Sequence, residues 1–389
     1  MEFFRSTNFD FLGLRKLWIA ISVAVILAGL ASIATRGIPL GIDFRGGADV
    51  QLKFHADPDV DALRRDLGAA GFGSVTIQRI GLAEENEVLI RLDSRAGGEG
   101  YAEKEQGDIA SDILKALRSA EEQAEALGKT DLNVAGEGDL QKILEAALGA
   151  GREEEARRAA AAIARLRNAR GGILSGVDSV KGLPEVSAEV ARWLEGSAIA
   201  GRFAIRSVDY VGPSVGSDLR KKARWAVILS LGAILIYIGF RFHAASFGVA
   251  AVITLAHDVL VTLGFISFFQ KEFDLTVLAA ILTIVGYSVN DTIVIFDRVR
   301  DLLRLKRRTD MQTIFNDSIN QCLSRTILTS LLVFMVLVSI WVFGGSRLEP
   351  FAFALLVGTI SGTYSTIYIA APIVITWTGI AQRRAGRAG

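Results

Sequence analysis

Asp291 lies inside a long apolar run, in the stretch Val285-Gly-Tyr-Ser-Val-Asn-Asp-Thr-Ile-Val-Ile-Phe-Asp-Arg298. The run opens near Leu275 and closes near Phe296, so the carboxylate sits roughly 8 Å from one end at the helical rise. An acidic residue near the middle of a membrane span costs roughly 2.5–3.5 kcal/mol on insertion scales. A chain keeps such a group where it faces a bundle interior and meets a partner or a proton. The default chemistry is therefore an ion or proton site, and the bland alternative is a polar contact between helices. Asn290 beside it and Gly286 one turn earlier add polarity and room for close approach. Asp297, next to Arg298 at the boundary, reads as an interfacial residue.

Other residues could join that chemistry. His257 and Asp258 form the deepest ionisable pair, near the centre of another apolar run. Neighbours on a helix point about 100° apart, so the pair reads either as a proton relay or as an interhelical clamp. Arg325 opens a further run, in Asn320-Gln-Cys-Leu-Ser-Arg-Thr326. It could snorkel to the surface, or turn inward at about the depth of Asp291 and pair with it. Gly358, Ser361, Gly362, Thr363, Ser365 and Thr366 line the last run. Their four-residue repeat favours close helix packing.

Six windows can carry these residues across a bilayer: about 17–34, 225–240, 247–269, 275–296, 327–343 and 351–380. The 389 residues are 51% hydrophobic, with a mean hydropathy of +0.37, which favours a membrane class. The first window reads as an uncleaved anchor rather than a signal peptide, because five more follow. Arg5, Arg15 and Lys16, the Arg298–Arg308 loop and the Arg383–Arg387 tail all fall on one side of a six-span chain. That side is expected to be cytoplasmic, with both termini. Arg220, Lys221, Lys222 and Arg224 are misfits on the outer side.

The expected fold is a bundle of six transmembrane helices plus an extracytoplasmic α+β domain. The expected divisions are 1–36, 37–219 and 220–389. Strands are expected at Asp49–Phe54, Ser74–Ile80, Glu87–Leu92 and Arg202–Val211, with a helix at Asp59–Ala70. A helix before the last strand would complete a ferredoxin-like split β-α-β arrangement. That place holds a long Ala-, Glu- and Arg-rich insertion, about 94–197. It predicts helices at Asp108–Leu127, Asp139–Leu148 and Glu153–Asn168, with loops at Arg95–Gly100 and Gly128–Gly138. Its mixed charge reads as a solvated face, and the alternative is a docking surface. Gly41-Ile-Asp-Phe-Arg-Gly-Gly47 and Tyr210-Val-Gly-Pro-Ser-Val-Gly216 flank the domain. Within them Gly41, Asp43, Gly46, Gly47, Gly212, Pro213 and Gly216 read as turn or hinge residues.

Several classes fall away. A net charge of +1 offers no field for nucleic acid. A single cysteine and three scattered histidines give no disulfide, no Cys-based zinc site and no HExxH. No phosphate-binding loop or nucleophile triad can be assembled, so no cofactor and no enzyme activity are expected. Energy would come from an ion gradient or a partner ATPase.

Taken together, GIDFRGG (41–47), YVGPSVGSDL (210–219), AHDVLVTLG (256–264), VGYSVNDTIVIFDR (285–298), SRTILTS (324–330) and GTISGTYSTIYIAAP (358–372) resemble the SecF family of preprotein translocase subunits. The resemblance covers about residues 1–92 and 203–380 and leaves the insertion out. It implies a six-span subunit of a SecDF complex, in the resistance-nodulation-division superfamily. Such a subunit draws on the proton-motive force to help unfolded proteins leave through the SecYEG channel. It implies SecD as a separate partner, and YajC and YidC as further ones. It also places the proton-pathway acid on Asp291 and its basic partner on Arg325, with Asp258 and Asn290 inside motifs. Rival readings are half of a small-molecule exporter, an intramembrane protease built on Asp291 and Asp258, and a passive scaffold.

Overall fold

The computed structural model describes residues 7–72, 75–80, 85–93, 106–242, 245–306 and 309–388. The chain divides into two units, Met1–Phe44 with Asp218–Gly389, and Arg45–Ser217. After α1 (Arg15–Arg36) and the single turn α2 (Ile42–Arg45) come β1 (Gly47–Phe54), α3 (Val60–Ala69), β2 (Val75–Ile80) and β3 (Glu87–Asp93). The insertion holds α4 (Gln106–Leu117), α5 (Ala120–Ala126), β4 (Thr130–Asp131), α6 (Glu137–Leu148), α7 (Glu153–Ala169), α8 (Asp178–Lys181), α9 (Ala188–Ser197) and β5 (Ala198–Ile199). Then follow β6 (Phe203–Val211), α10 (Pro213–Phe242), α11 (Ala245–Phe268), α12 (Leu275–Leu305), α13 (Met311–Phe343), α14 (Gly345–Ser365) and α15 (Ala371–Ala388).

In Arg45–Ser217 the four long strands form one sheet in the order β2-β3-β1-β6, every neighbouring pair antiparallel. Alternation sets its faces: Val50, Leu52 and Phe54 of β1 and Val88, Ile90 and Leu92 of β3 point into one core. Leu63 and Leu67 of α3 cover that core, together with Ile113 and Leu117 of α4. The opposite face is polar, and Arg91 grips Asp49 across the strands with two bonds of 2.9 and 3.1 Å.

The insertion is thus shared between two cores. Its first helix completes the sheet domain, and the rest builds a centre of its own from Leu140 and Leu144 (α6), Ala156, Ala160 and Ile163 (α7) and Val190 and Leu194 (α9). Charged side chains such as Glu154, Arg157 and Arg158 lie outside, where Glu154 pairs with both arginines. The helix expected over 108–127 is two helices. Ser119 stops the first and starts the second, accepting from Glu122 N at 3.2 Å while the Glu122 carboxylate accepts from Ser119 N at 2.8 Å. The loop expected at Gly128–Gly138 includes β4, and Arg95–Gly100 lies outside the described residues.

Asn133 ties this inserted core together. Its amide donates to the carbonyls of Leu174 (3.0 Å) and Gly201 (2.8 Å) and accepts from Leu174 N (2.8 Å). Arg167 donates to the carbonyls of Leu132 and Ala135. Its partial burial lowers the guanidinium pKa from its ordinary value.

The other unit has six helical segments long and apolar enough to cross a membrane. Its interior combines apolar clusters around Phe296 and Ile284 with buried polar groups (Ser22, Ser32, Asp258, Ser288, Asp291 and Thr366), while large apolar side chains such as Leu17, Leu27, Trp225, Ile236 and Leu332 are exposed. A bilayer is the solvent for which that distribution is stable. The segments α11, α12 and α14–α15 are central; α1, α10 and α13 are peripheral. Glycines set the closest crossings. A Cβ on Gly29 would lie 2.8 Å from the Gly264 Cα, and Ser32 bonds Ser267 at 2.9 Å one turn on. A Cβ on Gly358 would collide with Ile284. One π-helical turn, Thr366–Ala370, joins α14 to α15. The helices outrun the apolar windows, because Asp310 caps α13 by accepting from Thr313 N at 2.9 Å and Asp297 pairs with Arg241.

Candidate functional site

The two buried acids of the bundle have opposite surroundings. Asp258, fully buried on α11, has both carboxylate oxygens filled. Oδ1 accepts from Ser361 Oγ at 2.6 Å and meets His257 Nδ1 at 3.0 Å. Oδ2 accepts from Ser288 Oγ at 2.6 Å and from Ser365 Oγ at 3.0 Å. Ser361 and Ser365 share a face of α14 because they are four residues apart, and Ser288 reaches in from α12.

The chain of contacts continues outward. Tyr364 Oη lies 3.1 Å from His257 Nε2 and accepts from Ser22 Oγ of α1 at 3.3 Å. A neutral imidazole with its proton on Nδ1 satisfies every link: Nδ1 donates to Asp258, and Nε2 accepts from Tyr364. His257 and Asp258 therefore share one polar centre despite their 100° offset, and the clamp reading of the pair fits this geometry. Ser288, Ser361, Ser365 and His257 bond the carboxylate directly, and Tyr364 and then Ser22 of α1 join it through His257.

Asp291 sits one turn beyond Ser288 on α12, only 4% exposed. Its Oδ2 is buried without a hydrogen-bond partner among the described residues. A proton can bind there without displacing any donor, whereas a proton on Asp258 must expel one.

Arg325 does not meet Asp291. No ion pair joins them among the described residues, and Arg325 is exposed. The reason is helical phase. Leu323, Thr326 and Ser330 are the buried residues of α13 here, and Arg325 stands about 100° round from Thr326. Asn290 is likewise exposed, one position round from the face that buries Asp291. Asp297, read as interfacial, is held by Arg241 and lies 3.8 Å from Arg300.

The flanking motif residues divide by unit. Gly41 N donates to Phe273 O at 2.8 Å, and Asp43 Oδ2 accepts from Leu275 N at 3.0 Å. Asp43 and the N-cap Asp274 together fill orphan donors where α12 begins. Gly46 and Gly47 have positive φ (76° and 138°) just as β1 begins. Gly212 is the one residue between β6 and α10, and Pro213 is the first residue of that helix, where its missing N–H is harmless. Gly216 lies in the first turn, and a Cβ there would come within 3.1 Å of Gly46 N.

The sequence reading missed Ser22, Ser288, Tyr364, and the polar role of Ser361 and Ser365. The available signal was the i,i+4 serine pair in a span, close to Tyr364.

The family described as "Protein export membrane protein SecD/SecF, C-terminal" matches residues 195–379, and "SecD/SecF GG Motif" matches 31–57. A protein translocase subunit SecF from Koribacter versatilis is 39% identical over 390 residues, covering 97% of this chain and 93% of that protein. One from Calditerrivibrio nitroreducens is 35% identical, covering 97% and 96%. Among solved structures, SecDF from Thermus thermophilus, a translocon-associated membrane protein, is similar with a TM-score of 0.63 and 28% identity over 96% of this chain. SecDF in a super-membrane-facing form gives 0.57 and 27% over the whole chain. This chain spans 39% and 41% of those two SecDF chains.

Proposed function

The chain belongs to the SecD/SecF family of protein-export membrane proteins, and from that premise we propose that it is a SecF-type subunit which couples proton movement to protein translocation. It is a multi-pass inner-membrane protein. Its role in translocation is accessory: it assists late steps of export through SecYEG alongside a separate SecD chain, with both termini in the cytoplasm. We read it as a non-enzymatic subunit.

One observation carries the coupling reading: Asp291 is buried with a free carboxylate oxygen, while the neighbouring acid Asp258 is closed off by four donors. The first can exchange a proton at little cost in hydrogen bonds; the second anchors the bundle. The same contrast speaks against a protease, which needs two open carboxylates facing one substrate. Asn290 and Arg325 are polar and exposed on spans, which favours a protein neighbour over lipid at the α12–α13 face. We place the SecD partner there, where Arg325 would serve the shared interface.

In this mechanism Asp291 takes a proton from the outer side and the bundle shifts. One charge crossing 100 mV supplies about 2.3 kcal/mol, enough to bias a two-state change by several tens-fold. The freedom for that change narrows to few linker residues. Gly41 is bonded to Phe273 and Gly216 is helical, so Gly46, Gly47 and Gly212 remain as pivots. The test is gradient-driven export in vesicles containing SecD and Asp291→Asn at matched expression. Loss of only the gradient-dependent part is expected. Unchanged gradient dependence would make Asp291 a structural residue and end the proposal.

A further inference from the structure

Arg220 and Arg224 lie four residues apart on one face of α10. Neither forms an ion pair among the described residues, whereas the adjacent Lys221 reaches Asp218 at 3.8 Å. Both line a cavity of about 610 Å³ whose other walls are apolar, including Ala223, Val227, Leu40, Phe273 and Leu278. That volume is in the range of small-ligand sites, roughly 300–1,000 Å³.

The rest of α10 explains why the space exists. Most of the helix is exposed, Trp225, Leu229 and Ile236 among its apolar side chains. It is fastened at its C-terminal end, where Phe242 stacks on Phe247 and meets Phe296 edge-on. Further along, Leu231 and Leu235 line a second apolar cavity of about 350 Å³ against α11. From Arg224 to Leu235 the helix rises about 16 Å, close to one leaflet of a hydrocarbon core roughly 30 Å thick.

We propose that this groove holds one anionic phospholipid, with its phosphate between the Arg220 and Arg224 guanidiniums and an acyl chain along Ala223, Val227 and Leu278. Guanidinium forks match phosphate oxygens, and the two cations otherwise lack a counter-charge. An extended peptide is a poor occupant, because the apolar walls offer its backbone few hydrogen-bond partners. A partner's apolar helix would leave both arginines uncompensated. The lipid also accounts for a basic cluster on the side where the positive-inside pattern expects few cations. This inference rests on the membrane-spanning reading and is independent of proton coupling.

The test is native mass spectrometry of the full-length chain released from nanodiscs of equal phosphatidylglycerol and phosphatidylcholine with matched acyl chains. One retained phosphatidylglycerol is expected on the unaltered chain. Each interfacial arginine strengthens anionic-lipid binding several-fold, so Arg220→Gln with Arg224→Gln should weaken retention about thirtyfold. Val227→Trp, which fills the groove and keeps both arginines, should expel the lipid without lowering the melting temperature. Equal retention of the two lipids, or full retention by the double variant, overturns the proposal. So does an equal loss from Lys221→Gln with Lys222→Gln, which would mean diffuse surface charge. Displacement of the lipid when SecD is co-reconstituted assigns the groove to that interface and also overturns it.

Discussion

Asparagine at Asp258 and at Asp291 should have unequal consequences for stability. Asp258 accepts four hydrogen bonds, at 2.6, 2.6, 3.0 and 3.0 Å. Three of the four cross between helices; interhelical hydrogen bonds in bilayers average about 0.6 kcal/mol and reach about 1.7, so those three contribute about 1.8 kcal/mol or more. Asparagine keeps one acceptor oxygen, and its amide can donate to the hydroxyls of Ser288 and Ser365. Ser365 also retains the Gly362 carbonyl at 3.3 Å. The loss is then mainly of charge assistance, about 1–2 kcal/mol. Asp258→Ala removes all four bonds and strands Ser288 and Ser361, for about 3–5 kcal/mol. Asp291→Asn breaks no bond at the free Oδ2, so its cost should stay below about 0.5 kcal/mol. Unfolding in increasing SDS mole fraction, at fixed lipid and protein, reads all three. The reasoning is refuted if Asp291→Asn costs as much as Asp258→Asn, or if Asp258→Ala lies within about 1 kcal/mol of the parent.

The α1–α11 crossing should tolerate no side chain at its tightest point. Gly264→Leu or Gly29→Leu must separate backbones whose added Cβ would lie 2.8 Å from the facing Cα, and a drop in detergent melting temperature is expected, with an unchanged melt as the contrary result. Asn133→Ala should cost about 3 kcal/mol, because it removes the partner of three backbone groups of the inserted core, two of them buried; limited proteolysis of the full chain should cut faster within 118–202, and an unchanged cutting rate would contradict the tie. The Glu154 carboxyl is held down to about 2 by Arg157 and Arg158. A depressed carboxylate stabilises above its ordinary value of 4.5 and loses that effect as pH falls through about 2. Hydrogen-exchange protection at the start of α7, corrected for intrinsic pH effects, should therefore be unchanged from pH 7 to about 5 and weaken progressively between about 4.5 and 2. Complete loss of that protection already at pH 4.5, or no loss down to pH 2, would contradict the pairing.

The spans were legible because hydropathy sums over some twenty residues and survives a few polar intruders. Their ends were less so, since Asp297 and Asp310 look like breaks in a hydropathy window yet act as a paired charge and a cap. In the sheet domain, alternation in β1 and β3 sufficed, because each strand has one face in the core. The Ser119 break was visible as Ser-x-x-Glu, but the alanine-rich surroundings run smoothly through it. The site was legible as a set of buried acids, not as a geometry. Nothing within α12 or α13 fixes the rotation of one against the other, so pairing Arg325 with Asp291 was open until helix phase was known. The serines around Asp258 come from helices 30 and more residues away, beyond the reach of any local pattern.

The π turn at Thr366–Ala370 gives the last span two phases. Upstream, Ser361 and Ser365 are indexed to Asp258; downstream, Ala371 and Val374 are indexed to the apolar core. An extra residue in one turn rotates everything beyond it by about 100° relative to an uninterrupted α-helix. The span is thus a sequence with a built-in frame shift. Substitutions can retune either half alone, while deletion of a single residue in this turn would turn one half against the other. Length, more than composition, is the property on which selection should act most strictly here.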